Sequence, residues 1–302
     1  VVPAYNVGEY LDQCIESLAL QSLESIEILV VDDGSPDDSG TRAELWADKY
    51  PGRVKVIHKI NGGCASARNA GVQAARGKYI GFVDGDDWVS QRMYEDLYRS
   101  AVLATSDIAQ CGFQEVYTEG EVVKFPLDVN LNRLDLLCER PTMWRRIYSA
   151  TMLRAKNITF PEHIKRFDDL PFQFETFFNA KSVSNIPFCY YNYRQGRIGQ
   201  DISVRDDRLY VHFPIFEWIY NRNSQNLNYN EELKLFQLEL DVHYWAFSVI
   251  EEKYKKEYLS NTAGQIFDAK LNLSLTDMFS IARKKGMNRF MFFIRLFLTS
   301  KK

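Results

Sequence analysis

The chain has 302 residues, with 37 lysines and arginines against 40 aspartates and glutamates, a formal net charge of −3. Apolar residues make up 46% and charged residues 25%, the balance of a globular protein long enough to bury a core. That composition excludes collagen-like, low-complexity and disordered classes, and the lack of a basic excess excludes a general nucleic-acid binder. The first third then alternates short apolar runs with helical patterns. Val1–Tyr5 reads as a strand end. Tyr10–Leu20 reads as a helix, with Tyr10, Leu11, Cys14, Ile15 and Leu18 at helical spacing. Ile26–Val31 is a buried strand, Thr41–Lys49 a helix and Val54–His58 a strand. Ala65–Ala75, closed by Gly77, is a helix. Tyr79–Val83 is a strand, Ser90–Ala104 a helix and Ile108–Phe113 a strand. Strands separated by helices predict right-handed βαβ units and a parallel sheet.

From residue 114 the pattern changes. Glu115–Phe125 reads as a hairpin around Glu119-Gly120. Arg133–Cys138, Ala150–Lys156 and Pro171–Ala180 read as helices, and Ser182–Pro187 and Phe188–Arg194 as two extended segments. Beyond 205 the chain is helical and aromatic, with helices expected over Leu209–Asn221, Glu231–Tyr258, Gly264–Lys270 and Leu275–Lys285. There is no internal repeat, and the polar stretch Gln195–Asp207 is the expected boundary. Five cysteines, at 14, 64, 111, 138 and 189, are an odd number with no CxxC pair. They argue against a disulfide framework or zinc ribbon and for a reducing, cytoplasmic setting. No apolar run approaches the ~20 residues of a membrane span. The chain opens on Val1-Val2-Pro3 without methionine, so further residues are expected before it.

Ligands of open α/β sheets bind at the carboxyl edge of the strands. There the sequence places Pro3-Ala4-Tyr5-Asn6 after the first strand and Asp32-Asp33-Gly34-Ser35 after the second, with Asp37 and Asp38 close behind. Asp84-Gly85-Asp86-Asp87 follows the fourth. So many carboxylates at one edge cost stability unless a cation binds among them. Asp84 and Asp86, with Gly85 between, can both face a pocket from one turn, and oxygen-only ligands suit Mg²⁺ or Mn²⁺. The competing reading is a solvated Asp-Gly turn. Neither GxGxxG at the first strand–helix junction nor GxxxxGK[ST] is present, so phosphates are expected to be held through a metal rather than by a glycine cradle. A pyrophosphorylase-type nucleotidyltransferase would open with a Gly-rich loop carrying Arg and Lys, which is absent.

The stretches Val2-Pro3-Ala4-Tyr5-Asn6, Val30-Val31-Asp32-Asp33-Gly34-Ser35, Asn61-Gly62-Gly63 with Ala67-Arg68-Asn69-Ala70-Gly71, Gly77-Lys78-Tyr79-Ile80 and Phe82-Val83-Asp84-Gly85-Asp86-Asp87-Trp88 carry a family resemblance. In order and spacing they resemble the inverting family-2 glycosyltransferases of bacterial cell-envelope polysaccharide type. The likeness is close over 1–115, looser through Arg166–Phe172 and Tyr190–Ser203, and fades after 205. It implies an α/β GT-A fold, a Rossmann-like, mostly parallel sheet flanked by helices, with a C-terminal helical region. It implies a nucleotide-sugar-binding half at 1–115, an acceptor-binding half at 116–204 and helices at 205–302. By the same resemblance Pro3, Tyr5 and Asp33 line a nucleobase pocket, Asp33 accepting from a uracil N–H. Arg68 contacts the nucleotide or its phosphates, Asp84 and Gly85 lie beside the ribose, and Asp86 ligates Mn²⁺ or Mg²⁺. Asp169 aligns with the base that deprotonates the acceptor. The family's usual pair there is Glu-Asp, and with Asp168-Asp169 either carboxylate can act.

The resemblance further implies a nucleotide-sugar donor, UDP-linked by preference, and a glycan or lipid-linked glycan acceptor. No QxxRW motif of the processive synthases occurs, which favours one sugar per encounter. Several stretches carry two readings on their residues alone. Asp168-Asp169 can be a helix N-cap ahead of Pro171. In Tyr190–Arg197, Arg194 or Arg197 can meet a diphosphate oxygen, or the stretch is an aromatic edge strand with a solvated loop. Trp88 and Trp144 can stack on a sugar or be buried, and His58 and His163 read as structural or surface residues. Phe290–Leu298, between Arg283, Lys284, Lys285 and Arg289 on one side and Lys301 and Lys302 on the other, suits either peripheral membrane contact through 286–302 or a docked terminal helix. The competing functions are a metal-dependent sugar-phosphate nucleotidyltransferase and a non-catalytic nucleotide- or sugar-binding module.

Overall fold

A computed structural model describes residues 1–196, 204–268 and 271–301, with the backbone alone of 224. The described residues of Val1–Arg133 with Pro141–Ile198 form one compact unit, and those of Leu134–Arg140 with Gly199–Lys302 a second. The first contains β1 (Val2–Ala4), α1 (Gly8–Ala19), β2 (Ile28–Asp32), α2 (Ser39–Lys49), β3 (Val54–His58), α3 (Cys64–Ala74), β4 (Tyr79–Gly81), β5 (Trp88–Val89), α4 (Met93–Leu103), β6 (Ile108–Tyr117) and β7 (Val122–Phe125). After the short α5 (Arg133–Leu136) it continues with β8 (Arg146–Ser149), α6 (Ala150–Ala155), α7 (Asp169–Asn179) and β9 (Val183–Gln195).

β1, β2 and β3 form a parallel sheet in that order, Val2 opposite Val30 and Val30 opposite Val56. Every residue of β2 is buried, as its run Ile28-Leu29-Val30-Val31 requires of a strand covered on both faces. α1 turns Leu11, Cys14, Ile15 and Leu18 inward, the face its spacing predicts. Two backbone bonds join β1 to the chain around β4: the Val1 nitrogen donates to the Gly81 carbonyl (2.9 Å), and Val83 N–H to the Val1 carbonyl (3.0 Å).

Beyond β4 the expected parallel order gives way to a mixed sheet, β4-β8-β6-β9-β5, with β7 hydrogen-bonded to β6. β4 and β6 both run antiparallel to β8, which lies between them. β8 is only Arg146-Ile147-Tyr148-Ser149, too short to show a period. The two extended segments expected at 182–194 are a single strand, β9, parallel to β6. Its register against β6 shifts between Gln110 and Phe113, the extra residues falling on β9 around Pro187, which has no N–H to give the ladder.

The second unit holds α8 (His212–Asn223), α9 (Tyr229–Val249), α10 (Glu252–Asp268), α11 (Leu275–Lys284) and α12 (Met287–Ser300). The helix expected over Glu231–Tyr258 is two, and Gly264, expected near a helix start, lies inside α10. The break falls at Ile250, in extended conformation, and Glu251, whose N–H donates to the Arg205 carbonyl (2.8 Å). Neither residue is a breaker, so the sequence carries no punctuation there. Reciprocal capping boxes, Asn228 with Glu231 and Ser274 with Asp277, fix the starts of α9 and α11. α12 buries Phe292, Phe293 and Leu296 among Phe236, Leu240, Ala263 and Ile266, while Lys285 and Arg289 pair with Asp241. The apolar stripe of the terminal segment therefore serves this core. Among the described residues no helix is long and apolar enough to cross a membrane.

Between α8, α9 and α10 lies a buried polar network. Tyr220 donates to Glu239, whose other oxygen has no hydrogen-bond partner and lies 3.9 Å from His243 Nε2. His243 also lies 2.8 Å from the Tyr258 hydroxyl and 3.0 Å from Gln265 Oε1. Burial pushes the Glu239 carboxyl up to about 8 and holds His243 down to about 3 and His212 to about 4. As pH falls below about 6.5 the unfolded chain gains imidazole protons that the folded chain refuses, and stability is lost. As pH rises from about 4.3 to about 8 the unfolded chain releases a proton that folded Glu239 keeps, and stability is lost in that direction too. Thermal stability should peak near pH ~6.5 and fall by ~2 kcal/mol toward pH ~8. Glu239→Gln should lessen the alkaline decline without touching the acid side, the raised carboxyls of Asp87 and Asp169 supplying what remains, as seen in thermal midpoints across pH. A wild-type midpoint flat above the peak contradicts the assignment.

Candidate active site

At the end of β4 the chain passes buried Phe82 and Val83 and turns through Asp84-Gly85-Asp86-Asp87, closed by Asp87 N–H donating to the Asp84 carbonyl (3.0 Å). Glycine suits position 85, where a Cβ would sit 3.1 Å from the Pro3 carbonyl oxygen and 3.0 Å from Val7 and would force them to shift. Asp87 is 1% exposed. Burial, then the charges of Asp86 and Asp84, hold its carboxyl well above the usual range. Its oxygens accept from Arg194 N–H (2.8 Å) and the Tyr191 hydroxyl (2.7 Å), and that hydroxyl in turn accepts from Asp84 N–H (3.2 Å). Arg194 lies against the acidic turn. Its Nε donates to the Asp86 carbonyl (2.8 Å), and its guanidinium carbon is 4.8 Å from the ring centres of both Tyr10 and Trp88. Arg197 lies outside the described residues.

The second motif meets this turn through Arg68. From α3 one terminal nitrogen donates to Asp84 Oδ1 and the other to Asp168 Oδ2, both at 2.8 Å. Asp168 precedes α7 but makes no side-chain cap, because its carboxylate turns to Arg68 instead. The helix starts at Asp169, so Pro171 is its third residue rather than its first. That position still demands no N–H, since the first-turn donors have no partners within the helix. Asp169 titrates at about 7: burial raises it first, then the Asp168 charge, while Arg68 opposes both. The segment leading to it is clamped by Asn69, which exchanges hydrogen bonds with the Phe160 backbone (2.9 Å each) and donates to Glu162 (2.9 Å).

The third element is the loop after β2. Asp33 is buried and accepts from Lys59 Nζ (2.6 Å), Gly62 N–H (3.0 Å) and Gly63 N–H (2.7 Å). With Gly62 also reaching its second oxygen (3.2 Å), the carboxylate keeps at most one open acceptor direction. Pro3 is buried beside Gly85, whereas Tyr5 is exposed. Trp144 is buried under Tyr191 (4.1 Å between ring centres) and Tyr193, so it is packing rather than a sugar platform. His58 bridges Asp32 (3.0 Å) and Glu44 (2.7 Å). His163 is exposed.

The donor set at the acidic turn is all oxygen, as a hard divalent cation requires. Among the described residues no group of three His, Cys, Asp or Glu side chains could hold a metal alone. One Asp84 oxygen is already bonded to Arg68. The residues therefore fit an ion held by one or two carboxylates and completed by a ligand's phosphates, the usual manner of Mg²⁺.

Sequence reasoning left Tyr191, Lys59 and Asn69 without roles. Tyr191 sat in a stretch read for its arginines, Lys59 had no motif around it, and Asn69 was only the neighbour of Arg68. Tyr191→Phe removes one of two donors to a buried carboxylate and should cost ~1–3 kcal/mol by denaturant unfolding. An unchanged midpoint would show that the phenol does not support the turn.

The family model for glycosyl transferase family 2 matches residues 1–165. An uncharacterized glycosyltransferase of Bacillus subtilis strain 168, EpsJ, is 38% identical over 211 residues, 65% of this chain and 60% of that protein, so the chain spans less than two thirds of that relative. A putative glycosyltransferase of the same organism, EpsH, is 31% identical over 80% of this chain and 72% of its own length. The crystal structure of Staphylococcus aureus TarS residues 1–349 in complex with UDP-GlcNAc aligns with TM-score 0.61 at 21% identity, covering 94% of this chain and 91% of that one. Its likeness to this chain is one of fold.

Proposed function

The chain belongs to glycosyl transferase family 2 and is a glycosyltransferase of GT-A fold, and from that premise we propose the following reaction. It moves a sugar from a UDP-sugar to a hydroxyl of a cell-envelope glycan or lipid-linked glycan, with inversion, one sugar per encounter, assisted by Mn²⁺ or Mg²⁺. The observation that carries the reading is Asp169, a carboxylate titrating at about 7 and tied through Asp168 and Arg68 to the acidic turn. A hydroxyl is a poor nucleophile until a base takes its proton, and a base works best when it titrates near the working pH. Asp168 commits a carboxylate oxygen to Arg68, which leaves Asp169 as the acceptor of choice. One base and one displacement invert the anomeric centre, with no carboxylate nucleophile needed.

Asp86, with Asp84 beside it, would hold the divalent ion, whose charge stabilises the departing diphosphate. Arg194 lies near enough to the turn to contact the diphosphate. Pro3 and Tyr5 flank the base site, and Asp33, met by Lys59, Gly62 and Gly63, would accept from the uracil N3–H by giving up its shared contact with Gly62. Support for UDP comes from TarS, solved with UDP and with UDP-GlcNAc and named a poly(ribitol-phosphate) β-N-acetylglucosaminyltransferase, an enzyme of a cell-envelope polymer. In this reading 1–115 serves the donor, 116–204 the acceptor, and 205–302 adds the helical region. Five free cysteines suit a cytoplasmic site of action. Contact with an anionic membrane surface falls to the outer face of α12, where Met287, Met291 and Leu298 are exposed.

Asp169→Asn should lower the transfer rate 10²–10⁴-fold, roughly 3–5 kcal/mol of barrier, with UDP affinity preserved. The wild-type rate should rise with pH through about 7 as Asp169 ionises, and the variant should lose that limb. Asp168→Asn should cost less. UDP release from a panel of UDP-sugars checks this, and a loss under tenfold for both variants contradicts the base. Separately, EDTA should abolish turnover and Mn²⁺ or Mg²⁺ restore it, and Asp86→Ala should weaken UDP binding only when metal is present. Full turnover in chelator contradicts the metal.

A further inference from the structure

Arg68 has the residue type of a phosphate binder but not its geometry. An arginine that receives a diphosphate presents its fork to an open site. Here the side chain is 8% exposed, and both terminal nitrogens are committed to protein carboxylates drawn from two different motifs. Its guanidinium carbon lies 5.4 Å from the ring centre of Phe160, whose backbone Asn69 holds from the next position on α3. Its Nε is buried without a hydrogen-bond partner. A guanidinium so enclosed is tolerated only because Asp84 and Asp168 compensate its charge. On the far side, Asp168 follows Phe167, whose φ of +54° is strained for a bulky side chain and persists only where the surroundings fix it. A second tie runs parallel, Lys165 Nζ to the Gly62 carbonyl at 3.4 Å, from the same segment to the loop that holds Asp33.

We propose that Arg68 is a positioning residue: its bridge between Asp84 and Asp168 holds the first turn of α7, and the proton acceptor Asp169 on it, at a set distance from the turn where the donor's diphosphate departs. This rests on the reading of Asp169 as base. Two consequences separate the bridge from a nucleotide contact. Donor binding does not need Arg68, because its nitrogens face protein. The charged groups that act most on Asp169 are Asp168, Arg68 and Asp84, with the Tyr148 phenol also near, and Arg68 is the cation among these four. Its loss leaves Asp169 beside two uncompensated carboxylates, so Asp169 keeps its proton to higher pH.

The test measures UDP release from UDP-GlcNAc, or from whichever UDP-sugar turns over fastest, as kcat and donor KM across pH, with UDP affinity by calorimetry in Mn²⁺. Arg68→Met should lower kcat about 100-fold, the cost of a misplaced catalytic group, leave UDP affinity unchanged and move the acid limb to higher pH. Arg68→Lys keeps a charge but replaces the rigid planar fork with a compact point charge, so the spacing between the two carboxylates is no longer fixed. It should restore the acid limb but only part of kcat. Arg68→Met with Asp168→Asn should cost no more than the worse single change, since both break one bridge. UDP affinity falling in step with kcat while the acid limb stays put would overturn the proposal, as would additive losses. If Arg68→Met does not fold, Arg68→Lys with Asp168→Asn gives the same comparison. A failure of the underlying reading shows differently, as wild-type turnover in Asp169→Asn.

Discussion

One buried guanidinium, bonded at 2.8 Å to Asp84 and at 2.8 Å to Asp168, sets the relation between the parts of this site. Asp84 follows β4, Arg68 stands on α3, and Asp168 immediately precedes α7, so three elements distant in sequence meet at one side chain. A buried ion pair adds little net stability, but removing one partner typically costs ~3–5 kcal/mol because a charge is left stranded. The arrangement therefore acts less as glue than as a gauge of position. The neighbouring supports follow the same logic. Asn69 fixes Phe160, Tyr191 and the Arg194 backbone hold Asp87, and Lys59 with Gly62 and Gly63 hold Asp33.

The chemistry follows from what these supports leave over. Asp87 is buried and fully met by donors, Asp168 is paired, and Asp33 is nearly saturated. Asp169 is the carboxylate that burial and the Asp168 charge raise toward neutrality, against the opposing pull of Arg68 and the Leu170 N–H. Burial and the neighbouring Asp168 charge raise Asp169 to about 7, while Arg68 bonds Asp168, so two adjacent carboxylates sit in different surroundings and can take different roles. The helical unit is built on other terms, with capping boxes, an aromatic core and buried neutral imidazoles.

Much of this was legible in the residues. The parallel order of β1 to β3 follows from β-branched runs separated by amphipathic helices, and the acidic edge from three Asp-bearing loops at strand ends. What was not legible depended on long-range partners. β8 is four residues long, and β9 looked broken because Pro187 sits at its register shift. The division between α9 and α10 is made by a bond from Glu251 to Arg205 rather than by a breaker residue. Asp168 looked like a helix cap because its position is one; only the place of Arg68, 100 residues away, shows why its carboxylate faces elsewhere. The apolar run near the carboxyl end fits a membrane surface and a helical core equally well by composition, and the burial of Phe292, Phe293 and Leu296 shows how its inner face is used.

The central claim is that a single carboxylate base, Asp169, drives one direct displacement at the sugar's anomeric carbon. The configuration of the product tests it most directly. With an α-linked UDP-sugar as donor, the anomeric proton of the first transferred sugar, followed by NMR before mutarotation or further processing, should show a β-linkage. An α-linked product would mean retention and would contradict a single displacement driven by Asp169.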